Sequence, residues 1–237
     1  KRQDLDRPEY YPLMLLSALG AVIMASSGDL ITLVLGLEIM SLPVYVLSAW
    51  RTGDRQSEEA GMKYFLLGAF GSAMLIYGMA LLYGAGGTFV FEGLAQSLSG
   101  GELTVLATLG GALVLVGLGF KASMAPFHQW APDVYTGAPT PVVTFMSVVI
   151  KVGAFAALLR VVATVFPQLA PWLITALAVI VAATLIIGNL SALMQRGVKR
   201  ILAYSAVAHA GYLGLALLAP EHGGIPAAAF YLTAYAL

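Results

Sequence analysis

Residues 140–160 read TPVVTFMSVVIKVGAFAALLR, an apolar run with a lysine, Lys151, in its interior. The next charged residue is Arg160, nine positions on. At about 1.5 Å per residue that is further than a lysine stem comfortably reaches toward a polar boundary. The run is long enough to cross a bilayer as a helix. A charge in such a place is costly and marks an ion or proton path by default.

Two more charges sit in similar surroundings. Lys121 follows the apolar run TVLATLGGALVLVGLGF, and Glu38 lies inside DLITLVLGLEIMSLPVYVLSAW. Three buried ionisable residues of both signs point to a proton relay. Hydrophobic residues make up 59% of the chain and charged residues 10%, with a mean hydropathy of +0.87. A soluble domain carries roughly 25% charged residues. The expected class is therefore an all-α integral membrane protein. The formal net charge of zero implies no nucleic-acid partner, and the absence of cysteine excludes disulfides and iron–sulfur ligation by this chain.

Apolar stretches long enough to span fall at approximately 12–27, 30–50, 62–83, 104–128, 140–161, 171–190 and 199–219, and an eighth starts at Ile225. The segment 84–103 is glycine-rich with a short amphipathic middle, as expected of an interfacial helix or loop. The polar opening KRQDLDRPEYY does not read as a signal peptide. The apolar run at FYLTAYAL is cut short, so the sequence reads as a fragment of a longer membrane protein.

Crossing the bilayer at each span sorts the basic residues. Lys1, Arg2, Arg7, Arg51, Arg55, Lys63, Arg196, Lys199 and Arg200 fall on one side, and Arg160 on the other. Basic loops are cytoplasmic, so the first residues are expected in the cytoplasm. Arg160, at the end of its span, is expected to snorkel to the headgroups.

KASMAPFHQWAPDVYTGAPTP, residues 121–141, carries Pro126 and Pro132, each lacking a backbone donor. A helix broken at membrane depth must be buried in protein or line a cavity, and such breaks mark ion sites in transporters. The alternative is that Pro126 merely ends the span before an interfacial belt of His and Trp. Gly28-Asp29-Leu30 and Gly188-Asn189-Leu190 form a possible internal repeat at an offset of 160 residues, as in inverted-repeat transporters.

Polar residues at helical spacing form three stripes: Glu38, Ser41, Tyr45 and Ser48; Thr140, Thr144, Ser147 and Lys151; and Ser205, His209 and Tyr212. Hydrogen bonding between helices accounts for Ser and Thr. It does not account for a Lys and a Glu heading the stripes. Burial penalises the charged form of either, so their protons become exchangeable. His209 is a further relay candidate; His128 is a weaker one near the interface. Haem ligation by these two histidines is disfavoured, since no second pair exists.

The strings LGLEIMSLPVYVLSAWR, EEAGMKYFLLGAFGSAMLIYGMALLYG, GFKASMAPFHQWAPDVYTGAPTPVVTFMSVVIKVGAF and VKRILAYSAVAHAGYLGLAL resemble the N subunits of bacterial proton-translocating NADH–quinone oxidoreductase, respiratory complex I. The likeness covers nearly the whole chain. It implies an antiporter-like bundle of about fourteen helices with two inverted five-helix repeats. This chain would supply the fourth to tenth helices and the start of the eleventh. Residues 12–161 would be the first repeat and 171–237 the start of the second.

The resemblance implies that Glu38 pairs with Lys121 and that Lys151 is the central lysine of the path, with SMAPFHQWAPD as the broken helix. The family's exit-side lysine would lie beyond Leu237. TFMSVVIKVG after the PTPV stretch favours subunit N over the related L and M subunits, which place a histidine-containing motif there. The implied function is proton translocation coupled to quinone reduction elsewhere in the complex, with no cofactor in this subunit. Its partners would be other membrane subunits of complex I, protons and the lipid of the cell inner membrane. A subunit of a multi-subunit sodium/proton antiporter shares the implied fold and the Glu–Lys pair. A structural subunit whose charges hold helices together is another class. A small-molecule transporter is a weaker one, because no cluster of substrate-anchoring charges is present.

Overall fold

The computed structural model describes residues 7–99, 105–168 and 171–237. Lys1, Arg2 and the predicted start of the fourth span at Thr104 lie outside the described residues. Eleven α-helices are described: α1 Tyr10–Ser26, α2 Leu30–Ser48, α3 Arg55–Gly86, α4 Phe91–Leu98, α5 Val105–Lys121, α6 Trp130–Gly137, α7 Thr140–Phe145, α8 Lys151–Thr164, α9 Pro171–Leu193, α10 Val198–Leu217 and α11 Gly224–Ala236. A π turn, Met146–Ile150, fuses α7 to α8. No β-strand occurs among the described residues.

Four helical stretches are long and apolar enough to cross a membrane: Leu30–Ser48, Arg55–Gly86, Thr140–Thr164 and Trp172–Leu193. α1 and α5 are shorter apolar helices. Within segment 84–103, the predicted interfacial piece contains α4. Its edge is tied down where Leu30 donates to the Phe89 carbonyl and Phe91 to that of Gly28. Asp29 caps α2, accepting from the Thr32 amide at 2.8 Å and the Thr32 hydroxyl at 2.7 Å.

In lipid there is no hydrophobic drive between helices, so close packing depends on small residues. α1 and α2 meet at Gly20 and Gly36, where an added Cβ would lie 2.2 Å from Met40 N and 2.5 Å from Met24 N. α3 and α5 meet at Gly78, Gly110 and Gly117, where a Cβ would come within 2.6 to 2.9 Å of the facing helix. The outer faces of α3 and α9 carry exposed Phe65, Phe70, Val179 and Ile186, the composition of a surface that meets lipid or neighbouring helices.

The basic residues gather at one end of the bundle. Arg7 bonds Thr52, Arg51 pairs with Asp54, and Lys199 donates to the carbonyls of Thr136 and Ala138. Asp133 at the start of α6 pairs with Lys63 of α3 at 2.9 Å and Arg200 of α10 at 3.0 Å. Arg160 is elsewhere, donating to the Ala25 carbonyl at the end of α1.

Two sequence expectations are corrected. The Gly28-Asp29-Leu30 and Gly188-Asn189-Leu190 tripeptides occupy unlike places. The first is the loop that caps α2, with open space at Gly28; the second lies inside α9, where Gly188 abuts the Ala208 backbone. Their likeness is therefore no sign of a structural repeat. Nor do Thr140, Thr144, Ser147 and Lys151 share a face. Thr140 and Thr144 are exposed, whereas Lys151 is 3% exposed. The π turn adds a residue to the turn before Lys151 and turns it inward.

Candidate functional site

α5 ends at Lys121 and α6 begins only at Trp130. The helix is interrupted from Ala122 onward, one residue earlier than the Ser123–Pro126 stretch at which Pro126 alone would break it. Ser123 takes a left-handed conformation, φ 60°. The freed backbone groups face protein. The Met124 amide reaches back to the Gly119 carbonyl, the Ala125 amide donates to Thr184 Oγ1 on α9 at 2.9 Å, and the Trp130 indole donates to the Phe120 carbonyl at 3.0 Å. The break thus leaves Lys121 at a helix C-terminus, where the backbone dipole favours a cation.

Lys121 is 2% exposed. Its Nζ donates to Tyr45 Oη at 3.3 Å and lies 5.1 Å from the centroids of both Tyr45 and Tyr64. The two rings meet edge to face at 4.8 Å, and Tyr64 stacks on Trp130 at 4.5 Å. The ammonium is therefore held in an aromatic cage as well as by a hydroxyl. Among the described residues the ion pairs are Arg51–Asp54, Lys63–Glu59, Lys63–Asp133 and Arg200–Asp133, so Glu38 and Lys121 do not make a direct one.

Glu38 is half-buried, and its Oε1 has no hydrogen-bond partner among the described residues. It borders an apolar groove of about 350 Å³ between α1 and α2, with Leu13, Leu16 and Leu42 around it. The rest of its stripe points inward: Ser41 and Ser48 are fully buried, and Tyr45 is nearly so. Ser41 back-bonds to the Leu37 carbonyl and lies beside the Tyr45 phenol. Ser48 donates to the Val44 carbonyl and touches Met146 of the π turn.

A second cluster forms among α8, α10 and α11. Lys151 donates to the Ala206 carbonyl, and its Nζ lies 5.2 Å from the centre of the Tyr235 ring. The His209 ring is flanked by Tyr212, Tyr231 and Tyr235, and its Nδ1 shares a 2.5 Å hydrogen bond with Tyr231 Oη. So Lys121 meets Tyr45, with Glu38 further along the same stripe of α2, and Lys151 and His209 come together around Tyr235. No hydrogen bond joins the two clusters among the described residues. His128, on the break loop, has a buried Nδ1 without a hydrogen bond and faces the Tyr204 ring at 6.4 Å.

Sequence reading missed Tyr64, Tyr231 and Tyr235. Each is a hydroxyl-bearing ring in an apolar helix, and the four-residue step from Tyr231 to Tyr235 would have marked a helical face. It gave Asp133 no role of its own. The hydrogen bond from Lys63, then that from Arg200, holds the Asp133 carboxyl below the usual carboxylate range.

No group of three or more potential metal ligands occurs among the described residues. Residues 27–237 match the model of the family described as NADH:quinone oxidoreductase/Mrp antiporter, TM. The chain belongs to that family. Its match to NADH-quinone oxidoreductase subunit N of Desulfovibrio desulfuricans is 52% identical over 243 residues, covering 99% of this chain and 48% of the relative. In the structure of respiratory complex I from Thermus thermophilus with bound aureothin, a chain matches at 49% identity with a TM-score of 0.84, covering 97% of this chain and 49% of that one. A chain of the archaeal membrane-bound sulfane sulfur reductase matches at 33% identity with a TM-score of 0.90, covering 99% and 48%. The chain spans about half the length of the relatives it matches. The family's members include subunits of NADH–quinone oxidoreductase, and an all-helical membrane bundle is common ground among them.

Proposed function

We propose that this chain is part of a proton-translocating membrane subunit of an NADH–quinone oxidoreductase, and that Glu38, Lys121, Lys151 and His209 form its proton path. The observation that carries this reading is the pair of buried lysines, each lodged against tyrosines with no carboxylate in direct contact. A lysine needed only to hold helices together would serve best in a closed ion pair. An ammonium held by an aromatic ring, a hydroxyl or a carbonyl can lose its proton and leave no stranded anion behind.

The subunit would use no redox group of its own and would couple to quinone reduction elsewhere in its complex. Its partners would be the neighbouring membrane subunits of the inner membrane. The basic end, with Arg7, Arg51, Lys63, Lys199 and Arg200, would face the cytoplasm. Residues 12–161 would form the first five-helix repeat, and 171–237 would open an inverted second one. A proton would pass laterally from the Lys121 cluster to the Lys151 cluster. The sodium/proton antiporter reading shares the family. The 52% and 49% identities to quinone oxidoreductase subunits, against 30% to a chain of the Mrp complex from Dietzia, favour the oxidoreductase.

Lys151→Ala in the full-length subunit, within its assembled complex, tests the reading. The expected result is normal assembly with proton pumping reduced to background. Wild-type pumping by a correctly assembled variant would refute the relay, and loss of assembly would favour a structural role.

A further inference from the structure

Glu38 and Tyr45 lie two helical turns apart on one face of α2, with Ser41 between them. Lys121 makes its hydrogen bond to the far member of this set, the Tyr45 phenol, and not to the carboxylate. An ammonium is only a donor, and an ionised carboxylate only an acceptor. A group that connects the two without direct contact must do both. A phenol does.

The phenol is held in place from several sides. Its ring is set edge-on against Tyr64 at 4.8 Å and Phe65 at 5.8 Å. Its oxygen fills the space that Gly68 of α3 leaves open, for a Cβ at Gly68 would lie 2.1 Å from Tyr45 Oη. Glycine is therefore required at 68 for the hydroxyl to stand where Lys121 reaches it. Tyr64, in the same cage, has a hydroxyl with no partner among the described residues, so the ring alone does not bring the hydroxyl to Lys121.

We infer that Tyr45, seated in the slot at Gly68, carries the proton between Lys121 and Glu38. The ammonium gives a proton to the phenol oxygen as the phenol's own proton leaves toward Ser41 and the Glu38 carboxylate. Lysine and glutamate both end neutral, and the phenol is unchanged. The reverse order of hops recharges the lysine. This assignment rests on the relay reading above, and Glu38→Gln separates the two.

The test uses the full-length subunit in its assembled complex, reconstituted in vesicles. Assembly, quinone reduction and pumping per assembled complex are measured across pH 6–9. Tyr45→Phe keeps the ring and removes the hydroxyl. Gly68→Ala keeps the hydroxyl and displaces it. Both are expected to lower pumping per assembled complex at least tenfold and to shift its pH profile, as Glu38→Gln lowers it. A packing role alone would reduce the amount of complex and leave that profile unchanged. Wild-type pumping and pH profile in Tyr45→Phe, with Glu38→Gln inactive, would overturn the role of Tyr45 and leave the relay standing. Wild-type pumping in Glu38→Gln would overturn both. Should Tyr45→Phe not assemble, Gly68→Ala decides by the same readings.

Discussion

Trp130 closes the gap in the broken helix by donating its indole N–H to the carbonyl of Phe120, ten residues back and next to Lys121. The last carbonyls of α5 take backbone donors from the break itself, Ala122 to Leu118, Met124 to Gly119 and Ser123 to Phe120, and the indole is a second donor to the last of these. The indole ties the start of α6 back to the end of α5. Its ring also backs Tyr64, one wall of the lysine cage.

Trp130→Phe is expected to lower the stability of the full-length subunit by roughly 0.5–1.5 kcal/mol, the net worth of one hydrogen bond at a carbonyl that keeps its Ser123 donor. Trp172→Phe, at a position 47% exposed, should change it little. Thermal unfolding in detergent, followed by tryptophan fluorescence and helical signal, measures both. Equal stability in the two variants would deny the indole its role as a tie between α5 and α6.

Asp133 ties α3, α6 and α10 together, and the link responds to acid. Its carboxyl is held below the usual carboxylate range, so the contribution is complete above about pH 4 and is lost as pH falls through the lowered value. All three partners are about two-fifths exposed, so the effect is modest, on the order of 1 kcal/mol. Asp133→Asn should lower the melting temperature by a few degrees at pH 7 and converge with wild type in strong acid. A constant difference at every pH would contradict the ion-pair origin.

His209→Phe keeps an aromatic ring among Tyr212, Tyr231 and Tyr235 and removes the hydrogen bond to Tyr231. Under the relay reading, pumping per assembled complex should fall at least tenfold, and Tyr231→Phe should fall with it. Both variants should assemble, since the ring packing survives. Unchanged pumping in both would confine His209 to packing.

The sequence revealed those features that depend on one helix at a time. Lys121 and Lys151 stood out because apolar neighbours left no route to water, and both are buried. Pro126 announced the broken helix. The failures arose where local spacing does not decide. The Thr140–Lys151 stripe assumed 3.6 residues per turn, and the π turn at Met146–Ile150 departs from that period. Ser41 and Tyr45 were correctly placed on one buried face, but the partner of Lys121 depended on α3. Thr184, which receives the Ala125 amide, is one hydroxyl in an apolar helix and 59 residues away. Nothing in a single helix marks such a residue as the acceptor for a distant loop.

The glycine contacts between α3 and α5 set a mechanical limit. With backbones touching at Gly78, Gly110 and Gly117, the two helices form one stiff beam. Tyr64 rides on that beam beside Lys121, so one wall of the cage is fixed relative to the lysine. The opposite wall, Tyr45, belongs to α2. A change in what the ammonium touches must therefore come from α2 or from the loop beyond Ala122, and bilayer forces on α3 or α5 would carry lysine and Tyr64 together as cargo.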